Sequence, residues 1–260
     1  MQRHVICFFA CLAVVLTAGT AAAQDRSLDG AAAQKLFASP PREYATAPLW
    51  VWNDMLTDEQ IRGTMRDLAS QKVRQVFVHP RPGLMTPYLS DEWFRLWKVA
   101  LDEAEKLDMN VWIYDENSYP SGFAGGHVPE IMPESRGRGL VLRDEQGVPK
   151  LGPDTLAVYR VQPDGLENVT QRVRGGETLP EGQYVVASVV RAGNSPWHGG
   201  RSYVDLMYPG VTEKFLEVTL EPYKRHIGDQ FGKRVLGAFT DEPNVAPAGG
   251  LPWTDQLPAV

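Results

Sequence analysis

Residues 111–126 read VWIYDENSYPSGFAGG, and this stretch decides the fold that the sequence predicts. An apolar, β-rich run ends at two adjacent carboxylates, Asp115 and Glu116, and a Pro/Gly/Ser-rich loop with Tyr119 and Phe123 follows directly. Polar side chains at the end of a buried strand, next to a loop of turn residues, are typical of the ligand-facing edge of an α/β barrel. The stretch therefore predicts a strand whose carboxyl end faces a binding site.

Strands and helices alternate on both sides of this stretch. Short apolar runs predict three further strands, at 49–53, 73–79 and 235–240. Apolar residues at helical spacing predict helices at 57–72, 90–104 and 212–231, and Thr57 and Gln60 have the spacing of a capping box. Such alternation predicts a parallel sheet, and four βα units correspond to the first half of a (β/α)8 TIM-type barrel.

The helical period disappears after the third strand. Residues 136–195 contain short β runs separated by turn-rich pieces, which predicts a small β-rich insertion. The organisation that we expect is a signal peptide at 1–23, a leader at 24–48, barrel at 49–135, the insertion at 136–195, and barrel continuation at 196–260.

The first residues are typical of an export signal. Arg3 precedes the apolar run 5–16, and small residues then lead to a cleavage site near Ala23. The run is too short for a stable membrane anchor, and both cysteines, Cys7 and Cys11, lie within it. A mature chain without cysteine favours a periplasmic or secreted bacterial protein. The net charge of -6 and the lack of a dense Lys/Arg cluster argue against nucleic acid as the partner.

The ends of the predicted strands carry polar side chains. These residues are Trp52 and Asn53, His79 and Arg81, Asp115 and Glu116, and Asp241 and Glu242. We expect them to surround one pocket, with Tyr119 from the third loop, because the carboxyl ends of parallel strands meet at one edge. The many Trp and Tyr residues favour a carbohydrate ligand, since the C–H faces of sugars pack on aromatic rings. We expect Arg81 and His79 to be the cationic partners of the acidic pair.

Glycoside hydrolysis needs two carboxyl groups across the scissile bond. Glu242 is the candidate general acid, because burial at the end of an apolar strand beside Asp241 would favour its protonated form. The oxygens of Asp115 and Glu116 suit a hard cation such as calcium. Two alternatives stay open: a non-catalytic carbohydrate-binding remnant, and a metal-dependent hydrolase that uses His79, Asp115 and Asp241.

Three blocks of sequence resemble the N-terminal barrel of glycoside hydrolase family 106, the α-L-rhamnosidase family. They are VHPRPGL with its continuation at 78–93, YDE…YPSG…AGG at 114–126, and FTDEP at 239–243. The resemblance covers residues 45–258. It implies inverting hydrolysis of terminal α-L-rhamnosides of polysaccharides, with calcium as a candidate ion and Glu242 as the general acid.

Only half of such a barrel is visible in this sequence. A complete (β/α)8 barrel takes roughly 250 residues, and this chain supplies four of its strands besides the signal and the insertion. We therefore expect the N-terminal part of a longer enzyme, whose general base lies on a later strand in the missing C-terminal half. The chain alone is then expected to show no turnover.

Overall fold

The structure is a computed structural model that describes residues 29–257. The chain falls into two units, Met1–Pro40 and Pro41–Val260. The described part of the first unit forms the helix α1 (Gly30–Ala38), capped by the side chain of Asp29. The sequence did not predict this helix in the leader. The predicted signal peptide, 1–23, lies outside the described residues.

The second unit contains strands, helices and then a second set of strands. In chain order they are β1 (Leu49–Trp52), α2 (Asp58–Ser70), β2 (Gln75–Pro80), α3 (Asp91–Leu107), β3 (Asn110–Tyr114), α4 (His127–Ile131), β4 (Arg138–Gln146), β5 (Thr155–Gln162), β6 (Gly165–Asn168), α5 (Thr170–Arg174), β7 (Gln183–Arg191), α6 (Val211–Ile227), β8 (Ala238–Phe239) and β9 (Leu251–Pro252).

Four of the strands form a parallel sheet. Their spatial order is β1-β2-β3-β8, and each neighbouring pair runs in the same direction. The prediction of an α/β fold with a parallel sheet is confirmed, although β8 is shorter than the predicted strand at 235–240. The four strands do not close on themselves within the described residues, so an eight-stranded barrel stays a prediction.

Helix starts follow the predicted capping chemistry. Thr57 Oγ1 accepts a hydrogen bond from the backbone N–H of Gln60 at 3.3 Å, and Gln60 Oε1 accepts one from the N–H of Thr57 at 2.9 Å. Ser90 Oγ accepts from the N–H of Trp93 at 3.2 Å at the start of α3. The predicted capping box is confirmed, since the backbone N–H groups of Thr57 and Gln60 are each satisfied by the other residue's side chain. No helix between residues 29 and 257 is long and apolar enough to cross a membrane.

The two faces of the parallel sheet differ in burial. One face packs on α2, α3 and α6 and forms the main core, which contains Trp52, Val76, Val78, Trp93, Trp97, Val111, Ile113 and Tyr223. The opposite face exposes apolar side chains, with Leu49 48%, Val51 44% and Phe239 38% exposed. Parallel sheets are normally covered on both faces, so this second face is unusually open among the described residues.

A second, antiparallel sheet follows β3. Its strand order is β6-β5-β7-β4-β9, with β4 and β7 paired along their whole lengths. The prediction that a β-rich segment follows the third strand is confirmed. Strand β9, near the end of the described chain, pairs with β4. The segment between β7 and α6 returns the chain to the parallel sheet.

Candidate functional site

The carboxyl ends of the four parallel strands lie along one edge of the sheet, as their common direction requires. The hydroxyl of Thr240 donates to Asp115 Oδ2 at 2.5 Å, and the hydroxyl of Tyr114 donates to the carboxylate of Asp241. The backbone N–H of Ser118 donates to the carbonyl of Pro80 at 3.0 Å. These contacts bring the ends of β2, β3 and β8 together.

Glu116 is fully buried, and the loop that follows it holds its carboxylate. Five backbone N–H groups donate to it at 2.5–3.0 Å: those of Asn117 and Gly125 to Oε1, and those of Gly122, Phe123 and Ala124 to Oε2. Successive N–H groups that converge in this way form a concavity suited to an anion. The loop therefore folds around the carboxylate of its own chain.

The glycines of this loop are required by its backbone. Gly122 has φ of +139° and Gly125 has φ of +62°, and residues other than glycine rarely adopt such positive φ values. A Cβ on Gly122 would lie 2.8 Å from Leu206 Cδ2. The PSGFAGG motif is thus explained by the need to aim five N–H groups at Glu116.

This environment changes the role expected of Glu116. Burial raises the pKa of its carboxyl group, whereas the backbone N–H groups oppose that rise by favouring the anion. Both oxygens are surrounded by donors of the loop, and the side chain has no exposed surface. In this structure Glu116 organises the loop that follows it, and the substrate-binding role expected from its position stays a prediction.

Asp115, at the end of β3, is linked to the following loop and to the end of β8. It is 3% exposed, and its carboxylate accepts hydrogen bonds from Ser121 Oγ at 2.6 Å and from Thr240 Oγ1 at 2.5 Å. Burial raises the pKa of Asp115, and the two hydroxyls oppose that rise. The expected ion pair between Arg81 and the acidic pair is not found among the described residues, because hydroxyls and backbone amides already satisfy both carboxylates.

The acidic pair does not fit a calcium ion. Calcium takes six to eight oxygen ligands, whereas the positive ends of five N–H dipoles point at the oxygens of Glu116. Within residues 29–257 no group of three or more His, Cys, Asp or Glu side chains is arranged to hold a metal. His79, Asp115 and Asp241 therefore do not form the metal centre that the metal-dependent alternative requires.

His79 lies on the open face of the sheet, stacked on Tyr114. The two rings are 3.7 Å apart between centroids and 22° from parallel, and His79 is 2% exposed. Neither ring nitrogen has a hydrogen-bond partner among the described residues. Burial and the positive charge of Arg81 lower the pKa of His79 to about 4, against the opposing effects of Asp241 and of the nearby backbone of Ser118, whose contact falls short of ordinary hydrogen-bond geometry. The imidazole is therefore neutral at pH 7 and offers one donor and one acceptor.

Arg81 lies between two aromatic rings at the mouth of a groove. Its guanidinium carbon is 5.2 Å from the ring centre of Tyr119 and 5.1 Å from that of Trp197. The groove has a volume of about 470 Å³ and is lined by Leu49, Val51, Asn53, His79, Arg81, Pro82 and Trp197. Four of the expected contact residues therefore meet here: Asn53, His79 and Arg81 in the lining, and Tyr119 against Arg81.

Sequence reasoning missed Trp197. This residue lies in the turn that follows the antiparallel strands, where Ser195 Oγ accepts from its backbone N–H at 3.2 Å. Its indole N–H donates to the carbonyl of Tyr119 at 2.5 Å, and the two rings are perpendicular. An aromatic residue within a Pro/Gly-rich turn was the available signal, but only the fold brings that turn to the end of β2.

Two further expected site residues lie elsewhere. Trp52 is fully buried and packs edge-on against Trp93, so it belongs to the core and is not accessible to a ligand. Glu242 is exposed and has φ of +43°. The burial expected for Glu242 is absent because β8 is short and its two residues are themselves exposed. Asp241, beside it, is held by the hydroxyl of Tyr114.

No family model matches the sequence, and no curated protein matches it. A rhamnosidase from Novosphingobium sp. PP1Y is similar in structure, with a TM-score of 0.53 and 14% sequence identity. The chain has a rhamnosidase-like fold. The match covers 86% of this chain but 40% of the rhamnosidase, so this rhamnosidase-like fold corresponds to less than half of that protein.

Proposed function

We propose that the chain is the N-terminal barrel portion of an exported glycoside hydrolase of family 106, which removes terminal α-L-rhamnosyl residues from oligo- or polysaccharides. The observation that supports this most is the groove at the carboxyl edge of the parallel sheet. There, an arginine between two aromatic rings adjoins a neutral histidine. The carboxylates Asp241 and Glu242 follow β8, which pairs with β3 at the same edge of the sheet. Export to the periplasm or the medium is part of the same proposal.

The groove has the chemistry that sugar recognition needs. Trp197 and Tyr119 supply ring faces and edges for the apolar C–H groups of a pyranose. Asn53, which is exposed at the groove, supplies an amide group for hydroxyl groups, and Arg81 supplies five N–H donors. Sites of this kind, mostly apolar with a few oriented polar groups, are typical of small-molecule recognition.

Glu242 is the proposed general acid. It follows the strand β8, and its carboxylate has no ion-pair partner among the described residues. An inverting enzyme also needs a carboxylate about 6.5–9.5 Å away that activates water. Asp115 and Glu116 are buried and bonded within the loop, so we assign this base to a later part of the complete enzyme. Closure of the site by that part would also desolvate Glu242.

The test of the proposal measures binding and turnover separately. L-Rhamnose and rhamnose-containing oligosaccharides are titrated into the chain while the indole N–H signal of Trp197 is followed by NMR. Aryl α-L-rhamnoside and a panel of other aryl glycosides are then assayed for hydrolysis. Where turnover is found, Glu242→Gln is expected to abolish it and to leave binding intact, whereas Glu213→Gln, an exposed change on α6, is expected to leave both unchanged.

A second function, carbohydrate binding without catalysis, is favoured by one observation. Of the carboxylates expected at the strand ends, only Glu242 is exposed, whereas two are needed for hydrolysis. Sugar binding without hydrolysis of any aryl glycoside would support this alternative for the chain by itself. Absence of any sugar binding at the groove would contradict both functions.

A further inference from the structure

Glu242 has a backbone conformation that its local sequence disfavours. Its φ is +43°, a value that few residues other than glycine adopt. Pro243 follows directly, and the residue before a proline prefers an extended backbone with a negative φ. Glu242 is also exposed, so burial of its side chain does not impose the conformation. Contacts of the residues on either side must therefore hold the backbone of Glu242 in place.

Ser121 holds the residue that precedes Glu242. The N–H of Ser121 donates to the carbonyl of Asp241 at 2.7 Å, and the N–H of Asp241 donates to Ser121 Oγ at 2.8 Å. Ser121 Oγ in turn donates to Asp115 Oδ1 at 2.6 Å, and Ser121 is buried. Both backbone groups of Asp241 are thus fixed to the loop that follows β3.

Tyr203 holds the segment on the other side of Glu242. Its hydroxyl accepts a hydrogen bond from the N–H of Asn244 at 3.2 Å and donates one to the carbonyl of Ser121 at 2.5 Å. One phenol therefore connects the loop after β3 to the segment after β8, at a point two residues beyond Glu242. We call these contacts of Ser121 and Tyr203 the clasp.

Tyr203 is itself held firmly by its surroundings. It lies between β7 and α6, it is buried, and its ring packs edge-on against Phe123 with 5.8 Å between the ring centroids. Its carbonyl accepts a hydrogen bond from the N–H of Gly137 at 2.8 Å. A buried polar network whose members are all paired rigidifies the conformation that it joins. The segment that returns from the antiparallel sheet therefore helps to fix the strand end that carries Glu242.

We propose that Tyr203 and Ser121 are positioning residues for Glu242. The clasp fixes the residues on both sides, so that the backbone of Glu242 keeps its positive φ and the proposed general acid keeps one orientation. Residues in sparsely populated backbone conformations persist only where the surrounding structure imposes them, and they cluster at active sites. The inference rests on the proposed function for the role of Glu242, whereas the clasp itself is tested without any sugar.

The experiment uses the opposite preferences of glycine and alanine at residue 242. At a positive φ alanine is strained and glycine is not, whereas in an extended backbone glycine is the less stable of the two. In the otherwise unchanged chain, Glu242→Gly should therefore unfold about 2–4 °C above Glu242→Ala. With Tyr203→Phe, which removes only the hydroxyl, this difference should fall by at least half, and with Ser121→Ala added it should vanish.

Two outcomes of this comparison would overturn the inference. A difference that is unchanged with Tyr203→Phe would exclude Tyr203 as a positioning residue. A difference that survives both changes together would show that the clasp does not set the backbone of Glu242. If the doubly changed chain fails to fold, Tyr203→Phe and Ser121→Ala are compared singly, and an unchanged difference in both would overturn the inference.

Tyr184→Phe is the matched control. Tyr184 is buried, and its hydroxyl also donates to a backbone carbonyl, that of Pro180 at 2.6 Å. Its removal should lower the unfolding temperature without altering the difference between Glu242→Gly and Glu242→Ala. Lys72, which is exposed and has φ of +63°, calibrates the measurement, since Lys72→Gly should unfold above Lys72→Ala whether or not the clasp is present.

Hydrolysis separates this inference from the proposed function. If the chain hydrolyses an aryl α-L-rhamnoside, Tyr203→Phe should lower kcat about tenfold and leave KM unchanged, because a misplaced acid affects the transition state more than sugar binding. A changed KM with an unchanged kcat would overturn the positioning role. If no sugar is bound or hydrolysed while the glycine preference still disappears with the clasp, the proposed function fails and the control of the Glu242 backbone stands.

Discussion

The guanidinium carbon of Arg81 lies 5.1 Å from the ring centre of Trp197, although the strands β4 to β7 separate the two residues in the sequence. The contact joins the end of β2 to the turn in which the chain returns from the antiparallel sheet. A cation over an indole ring is stabilised by about 0.5–2 kcal/mol. The turn that follows the antiparallel sheet therefore contributes Trp197 to the groove at the edge of the parallel sheet.

Replacing Trp197 by leucine should weaken sugar binding. The change removes both the ring face and the packing that orients Arg81, so we expect about a tenfold loss of affinity, which corresponds to about 1.4 kcal/mol. Trp197→Phe keeps a ring but loses the hydrogen bond to the carbonyl of Tyr119, and its loss should be smaller. Isothermal titration calorimetry with the best sugar ligand measures the affinity of both variants.

Phe231→Leu, at an exposed aromatic residue outside the groove, is the control and should bind the sugar as the unchanged chain does. If Trp197→Leu also bound with the affinity of the unchanged chain, Trp197 would be excluded from the site.

Replacing Glu116 by glutamine should destabilise the protein strongly. The amide group of glutamine would turn donors toward N–H groups that now donate to a carboxylate, leaving buried donors unpaired. We expect the free energy of unfolding to fall by about 3 kcal/mol, measured by urea denaturation at pH 9, since burial raises the pKa of Glu116 to about 8 and the group is a carboxylate only above that value. Glu130→Gln, which breaks an exposed ion pair with Arg201, should cost less than about 1 kcal/mol. Equal stability of the two variants would show that the loop does not depend on the carboxylate.

Alanine substitutions at two glycines distinguish the cost of backbone strain from the cost of steric crowding. Gly122 and Gly165 have similar φ values, +139° and +147°, but a Cβ would meet Leu206 Cδ2 at 2.8 Å only at Gly122 and finds open space at Gly165. Gly165→Ala should cost about 1–2 kcal/mol from backbone strain alone. Gly122→Ala should cost at least about 2 kcal/mol more, because the neighbours must move. Thermal unfolding of both variants tests this, and equal midpoints would argue against close packing of the loop.

His79 should make stability depend on pH. Burial and Arg81 lower its pKa to about 4 in the folded state, against an ordinary value of 6.5. Between these values the unfolded chain binds a proton on this side chain that the folded chain does not. Stability is therefore lost as the pH falls from 6.5 to 4, by up to about 3 kcal/mol, and is unaffected by this group above pH 7.

The histidine contribution is isolated by comparing the chain with His79→Gln. The raised pKa values of Asp115 and Glu116 give an opposite slope, but they do so in both proteins, so the difference between the two stability curves reports His79. That difference should be constant at and above pH 7 and should shrink as the pH approaches 4. Parallel curves across the whole range would mean that the imidazole is not buried in its neutral form.

Local features were predictable from the sequence. Thr57 and Gln60 cap a helix because their spacing lets each side chain reach the other's backbone, whatever the rest of the fold does. The strand β3 was predictable because its apolar run ends sharply at the charged residue Asp115. In both cases the signal lies within a few residues of the structure that it determines.

The contacts that Glu116 makes with its own loop were not predictable from the sequence. A carboxylate at a strand end faces either a ligand or its own loop, and the sequence pattern is the same for both. The N–H groups that settle the matter belong to a backbone path set by Gly122 and Gly125 and by packing against Leu206. A pattern of residue types does not specify where those N–H groups point.

The amino-acid order alone fixed the alternation of strands and helices, their caps and the polar strand ends, because these depend on periodicity and on contacts between near neighbours. Tertiary structure alone decided which polar groups are free to act. In the folded chain Glu116 and Trp52 are buried and Glu242 is exposed. Trp197 packs on Arg81, although the strands β4 to β7 lie between the two residues in the sequence. Such outcomes depend on burial and on long-range packing, and these are properties of the folded chain as a whole.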